Sequence, residues 1–157
     1  MATFRARLRG RNEVPPVLTN ARGSATFREI FGRTGNDNGN DNGNGDNNRR
    51  RVRALRFVLV LRNIRRVTDA HIHLGRPGQN GPVVATLFGP SRQGVSFRRG
   101  VIRGTLRSSD LVGPLRGRSI RALVREIERG NAYVNVHTIR FPNGEIRGQI
   151  REVFIPL

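Results

Sequence analysis

The chain has 157 residues, 29 basic against 11 acidic side chains and a formal charge of +18; every basic residue is an arginine, and there is no cysteine. This length supports one hydrophobic core without covalent staples, and the missing thiols exclude disulfides, thiolate zinc sites and cysteine nucleophiles. No run approaches the roughly 20 apolar residues of a bilayer span, and Met1 to Gly10 lacks a signal-peptide core, so the expectation is one domain over residues 1–157, cytoplasmic as synthesised.

In chain order, Thr3 to Leu8 sets Phe4, Ala6 and Leu8 against Thr3, Arg5 and Arg7, the period-two pattern of a strand with one wet face. Asn12-Glu13-Val14-Pro15-Pro16 ends it, because successive prolines cannot donate to a ladder. A second strand is predicted over Gly23 to Ile30. The segment 35–48 is almost pure Asn, Asp and Gly and predicts a flexible loop; Asp37, Asp41 and Asp46 are hard-cation ligand types, but their spacing lacks the terminal glutamate of an EF-hand, so no calcium site is assigned.

Val52 to Asn63 places Leu55, Phe57, Leu59 and Leu61 on one face and Val58 and Val60 on the other, which predicts a central, largely buried strand. Ala70 to Leu74, Val83 to Phe88 and Gly100 to Leu106 predict three more. Gly75-Arg76-Pro77-Gly78-Gln79-Asn80-Gly81 reads as a turn and not as a phosphate cradle, since it opens no helix and has no lysine. One helix is predicted, with Ser119 as cap, Ile120, Leu123, Val124 and Ile127 as apolar stripe, Glu126 and Glu128 on its wet side, and Gly130 at its end. Ala132 to Thr138 and Glu145 to Val153 close the chain as strands joined through Phe141-Pro142-Asn143-Gly144.

Side chains alternate along a strand, so His71 and His73 project from the face opposite Ala70, Ile72 and Leu74, about 6.5–7 Å apart along the chain and within reach of one ion. His137 likewise opposes Val134 and Val136, sharing its face with Tyr133 and Asn135. If the two strands are neighbours, all three histidines of the chain converge. The hairpin then puts Glu145, Arg147 and Gln149 on that face, and Glu145 or Gln149 is expected to orient a ligand ring, with Tyr133 and Asn135 as further surrounding residues. Three neutral nitrogens without thiolate suit copper, with zinc as the alternative, and leave a coordination position open for water or substrate.

At these residues the chain resembles the chordin-domain (CHRD) family over nearly its whole length. The matching pieces are Leu8 to Val17 (LRGRNEVPPV), Ala70 to Gly75 (AHIHLG) with Asn80 to Val84 (NGPVV), Gly130 to Thr138 (GNAYVNVHT) and Pro142 to Gln149 (PNGEIRGQ). The resemblance implies an all-β, immunoglobulin-like Greek-key β-sandwich, similar to copper/zinc superoxide dismutase with its own H-x-H strand, plus here one short α-helix. In animals the domain recurs in a secreted growth-factor antagonist; stand-alone microbial members have mostly unassigned functions, and bacterial ones are usually exported or associated with cell or spore surfaces. The chain departs from that pattern in its arginine load, its Asn/Asp/Gly insert and the absence of a visible export signal.

The functional expectation is a three-histidine copper protein, with oxidation of a small phenol in the manner of a tyrosinase as its activity. A coupled dicopper site needs about six histidines, so three require either two chains, as a homo-oligomer, or a mononuclear mechanism. The competing expectation is a non-catalytic surface or spore-coat module. The arginines, spread along every segment, allow non-specific binding of polyanions; with no Trp and one Tyr, no base-stacking platform is visible.

Overall fold

Among the described residues the alternation read in the sequence becomes eight strands and one α-helix: β1 (Thr3–Arg9), β2 (Arg22–Gly32), β3 (Arg51–Leu74), β4 (Val83–Phe88), β5 (Val95–Arg107), α1 (Ile120–Glu128), β6 (Ala132–Thr138), β7 (Ile146–Gln149) and β8 (Arg151–Val153). The structure, a computed structural model, describes residues 2–32 and 51–154. The loop expected at 35–48, with Asp37, Asp41 and Asp46, lies outside the described residues.

All eight strands belong to one sheet, and every pairing is antiparallel. Its path runs β2-β1-β7-β6-β3, and β3 pairs back onto β2, so five strands close a barrel; β5 and β4 extend it from β3, and β8 pairs with β1. The all-β expectation with one helix therefore holds, in the form of a closed barrel. Phe4, Ala6 and Leu8 of β1, Ala25 and Phe27 of β2, Leu55, Phe57, Leu59 and Leu61 of β3, and Val134 and Val136 of β6 fill its interior. All four stripe residues of α1 are buried. Ser119 occupies the cap position without making a side-chain cap bond, and Glu126 is half-buried, accepting from Asn131 Nδ2 (2.7 Å), where a solvated carboxylate was expected.

Two expected strands prove to be one. β3 runs for 24 residues, its first half between β2 and β5 and its second between β6 and β4. In the first half the odd residues Leu55, Phe57, Leu59 and Leu61 face the core; in the second the even residues Ala70 and Ile72 do. The frame is reset between them. Asn63 and Arg66 take left-handed φ of 51° and 52°, and the ladders slip between Ile64 and Val67 and between Val67 and Asp69. Such irregularities re-aim every later side chain. Without this reset, His71 and His73 would share the parity of Leu61 and point into the core. Val58 and Val60, expected to be buried in a central strand, are half-exposed on the outer face, because β3 has neighbours on both edges but no layer above it.

Candidate metal centre

β6 lies between β3 and β7, with His71 opposite Asn135, His73 opposite Tyr133, Asn135 opposite Arg147 and Tyr133 opposite Gln149. The expected neighbourhood of the histidine strands is therefore met, on the exterior of the barrel. The exterior here is not wet: Tyr133, Asn135 and Arg147 are buried. Residues 75–82 and the Glu13-Val14-Pro15 segment roof the strands, held by Asn80 Nδ2 donating to Val14 O (2.9 Å) and Asn12 Nδ2 to Arg147 O (3.0 Å).

One ring nitrogen from each of His71, His73 and His137 lies within 4.8 Å of the others. His73 Nδ1 donates to Gly81 O (2.8 Å) and His137 Nδ1 to Pro142 O (2.8 Å), which fixes both rings as the tautomer with a bare Nε2. His73 Nε2, His137 Nε2 and His71 Nδ1 are buried with no hydrogen-bond partner among the described residues. Buried polar atoms are normally satisfied, so three adjacent buried ring nitrogens without partners form a group that could hold a metal ion. Burial lowers the His71 and His73 pKa values, with His137 adding to both, and takes His73 down to about 4. The His73 ring is therefore neutral, the ligating form, at neutral pH, and burial pushes His71 in the same direction.

The Gly81 carbonyl reaches His73 because residue 81 has no side chain: a Cβ there would collide with Leu74 O. Tyr133 stacks on His73 with centroids 4.9 Å apart and planes 8° apart, and its hydroxyl accepts from Gly81 N (3.0 Å). The Arg147 guanidinium sits 3.5 Å from the Tyr133 ring centroid and donates to Arg76 O, Gln79 O and Asn80 Oδ1. Ring, phenol and guanidinium thus tie His73 to the roof.

Two expected roles shift. Glu145 accepts from Thr19 (2.7 Å) and Thr138 (2.9 Å), and Gln149 donates to Gly75 O and Gly130 O, so neither orients a ligand ring; main-chain carbonyls do. Asn135 donates to Asn143 O (3.3 Å). Asp69, not singled out from the sequence, has Oδ1 3.8 Å from His71 Nε2, an electrostatic neighbour too distant for a direct hydrogen bond. Its position two residues before His71 was the available signal. Glu13 was also missed: a Cβ on Gly144 would strike both Glu13 Oε2 and Asn135 Oδ1, two buried acceptors without partners among the described residues.

The fold and site together define an antiparallel all-β barrel protein with a roofed three-histidine cluster on its outer face. The chain belongs to the CHRD domain family, whose profile matches residues 4–150. Comparison with curated proteins and with solved structures returned no match.

Proposed function

We propose that this CHRD domain binds one copper ion through His71, His73 and His137, with zinc as the competing metal. The observation that carries the reading is the convergence of three buried ring nitrogens without donors, two of them on rings whose other nitrogen is already committed to a carbonyl. Imidazole nitrogen suits both metals, and the affinity order among divalent ions favours copper. A copper ion held by three nitrogens supplies one-electron chemistry at an open coordination position. The protein's contribution is to hold the rings neutral and aimed, and to leave His71 and His137 only half-buried so that a small molecule has access. Oxidation of a small phenol by a mononuclear site is the activity we attach to this reading. The immunoglobulin-like Greek-key kinship to superoxide dismutase belongs to the same proposal and rests on the H-x-H segment of β3. A surface or spore-coat address is its cellular counterpart, drawn from the family alone.

The test is elemental analysis of the full chain after copper reconstitution and gel filtration, beside His71→Ala/His73→Ala. We expect about one copper per chain, lost in the variant, with catechol oxidation lost alongside it. Copper retained at full stoichiometry by the variant would overturn the site, and absence of metal from the wild type would leave a non-catalytic structural module as the better reading.

A further inference from the structure

The arginines that look scattered in the sequence are gathered by the register. Arg9 pairs with Arg22, Arg22 with Arg62 and Arg62 with Arg99, one lateral row across β1, β2, β3 and β5. Arg5 pairs with Arg151, and Arg28 with Arg56, on the same outer face. That face takes three arginines from β1, two each from β2 and β3, three from β5 and one from β8, and its strands bring no carboxylate to it. Paired residues on adjacent strands lie about 4.5–5.5 Å apart, inside the Debye length of about 8 Å at physiological salt, and like charges directly opposite destabilise a sheet. Among the described residues no ion pair or side-chain hydrogen bond involves Arg9, Arg22, Arg62 or Arg99. At the β1–β8 margin the face runs into a cleft of about 710 Å³ lined by Arg5, Arg7, Arg11, Arg147 and Arg151, with Glu13 as its one carboxylate.

We infer that this face binds a flexible linear phosphate polymer through its backbone charges, independently of the histidine site. Guanidinium forks match phosphate oxygens, and a ladder of such forks at strand spacing meets a closely repeated anion with one phosphate per strand. Between the arginines the face offers Val58, Val60, Val101, Ser24, Thr26 and Thr105, with no aromatic ring to stack a base, which argues against single-stranded nucleic acid. The exterior of a barrel curves away from a duplex, which is stiff over about 50 nm, whereas a flexible chain follows it.

The experiment titrates labelled inorganic polyphosphate with the full chain at a series of salt concentrations. Arg22→Gln/Arg62→Gln/Arg99→Gln should weaken binding by about tenfold or more and flatten the salt dependence. The slope should fall by about 0.7 for each phosphate no longer neutralised, if the polymer behaves like a single-stranded nucleic acid. Arg116→Gln/Arg121→Gln/Arg125→Gln removes the same charge elsewhere and should stay within about threefold of wild type. Equal weakening in the two variants would mean that binding follows net charge and would overturn the assigned face. Heparin or duplex DNA bound as tightly as polyphosphate would overturn the assigned partner. Should the row variant melt early, Arg62→Gln against Arg121→Gln carries the same comparison. His71→Ala/His73→Ala should bind polyphosphate like wild type, which separates this result from the fate of the metal reading.

Discussion

At His73 the choice of ligating nitrogen is made by a neighbour with no side chain. Gly81 presents its carbonyl to Nδ1, and a methyl group at that position would push the roof segment off Leu74 O. Gly81→Ala should therefore fold but bind copper about 10–100-fold more weakly, the usual cost of losing an orienting partner, as read by competition with a chelator. Unchanged affinity would show that the ring does not depend on this carbonyl. Glu13 works in the opposite electrostatic sense. Burial raises its pKa to about 7, only partly offset by Arg147, so the folded chain holds a proton that the unfolded chain releases near pH 4.5. Between those values the native state binds more protons than the unfolded one, so this group's contribution to stability falls as pH rises from about 4.5 to about 7. Glu13→Gln keeps the size of the side chain without the ionisation, and should melt a few degrees above wild type at pH 8 while matching it near pH 4.5. An advantage independent of pH would refute the assignment. His73 runs the other way, its contribution being lost as pH falls from about 6.5 through about 4.

Among the elements, β3 carries the decisive irregularity. Arg66 holds its left-handed backbone by donating through its amide to Ser96 Oγ (3.0 Å) and through Nε to Gln93 O (3.0 Å), while Ile139 N donates back to its carbonyl (3.0 Å). A β-branched residue is disfavoured at such φ, so Asn63→Val should cost about 1–3 kcal/mol in urea unfolding, whereas Asn63→Gly should be nearly neutral. If Asn63→Val retains the reset frame, its copper stoichiometry will match wild type; if the frame slips, His71 and His73 turn inward and metal is lost with the stability. In α1 the buried stripe outweighs the cap. Leu123→Ala removes a fully buried side chain and should cost about 2–5 kcal/mol, while Ser119→Ala, which breaks no side-chain cap bond, should be close to neutral by the same measurement. The helix itself was legible from its i, i+3, i+4, i+7 pattern. The continuity of β3 was not, because Asn63 to Val67 reads locally as a polar break, and only pairing with β5 and β6 carries the strand through it.

For the molecule as a whole, electrostatics works against the fold that alternation builds. A period-two pattern of arginine and apolar residues buries the core side of each strand, and closing those strands into a barrel stacks the arginines beside one another. Added salt should therefore raise the melting temperature of the unliganded protein before any specific ion effect, since screening acts on exposed repulsion at short range. A melting temperature indifferent to salt would show that the row is already neutralised. The four sequence motifs of the family also acquire a common location at this scale. Asn12-Glu13-Val14, Asn80-Gly81, Asn135 with His137, and Gly144 to Arg147 are distant in sequence yet meet around the roofed histidine cluster, through Asn80 with Val14, Asn12 with Arg147, and Gly144 against Glu13 and Asn135. What the sequence alone determined is what local periodicity encodes: the helix and the segments that form strands, though not where β3 joins two of them or where β7 and β8 divide one, the core residues on their apolar faces, and the placing of His71 with His73 and of Tyr133 with Asn135 and His137 on the opposite faces. What only the tertiary structure decided is what depends on pairing between distant segments. The closure of β3 onto β2, the frame reset that keeps His71 and His73 outside, the carbonyls that set their tautomers and the arginine row all arise from interactions that no local pattern specifies, because register and closure are properties of strand pairs.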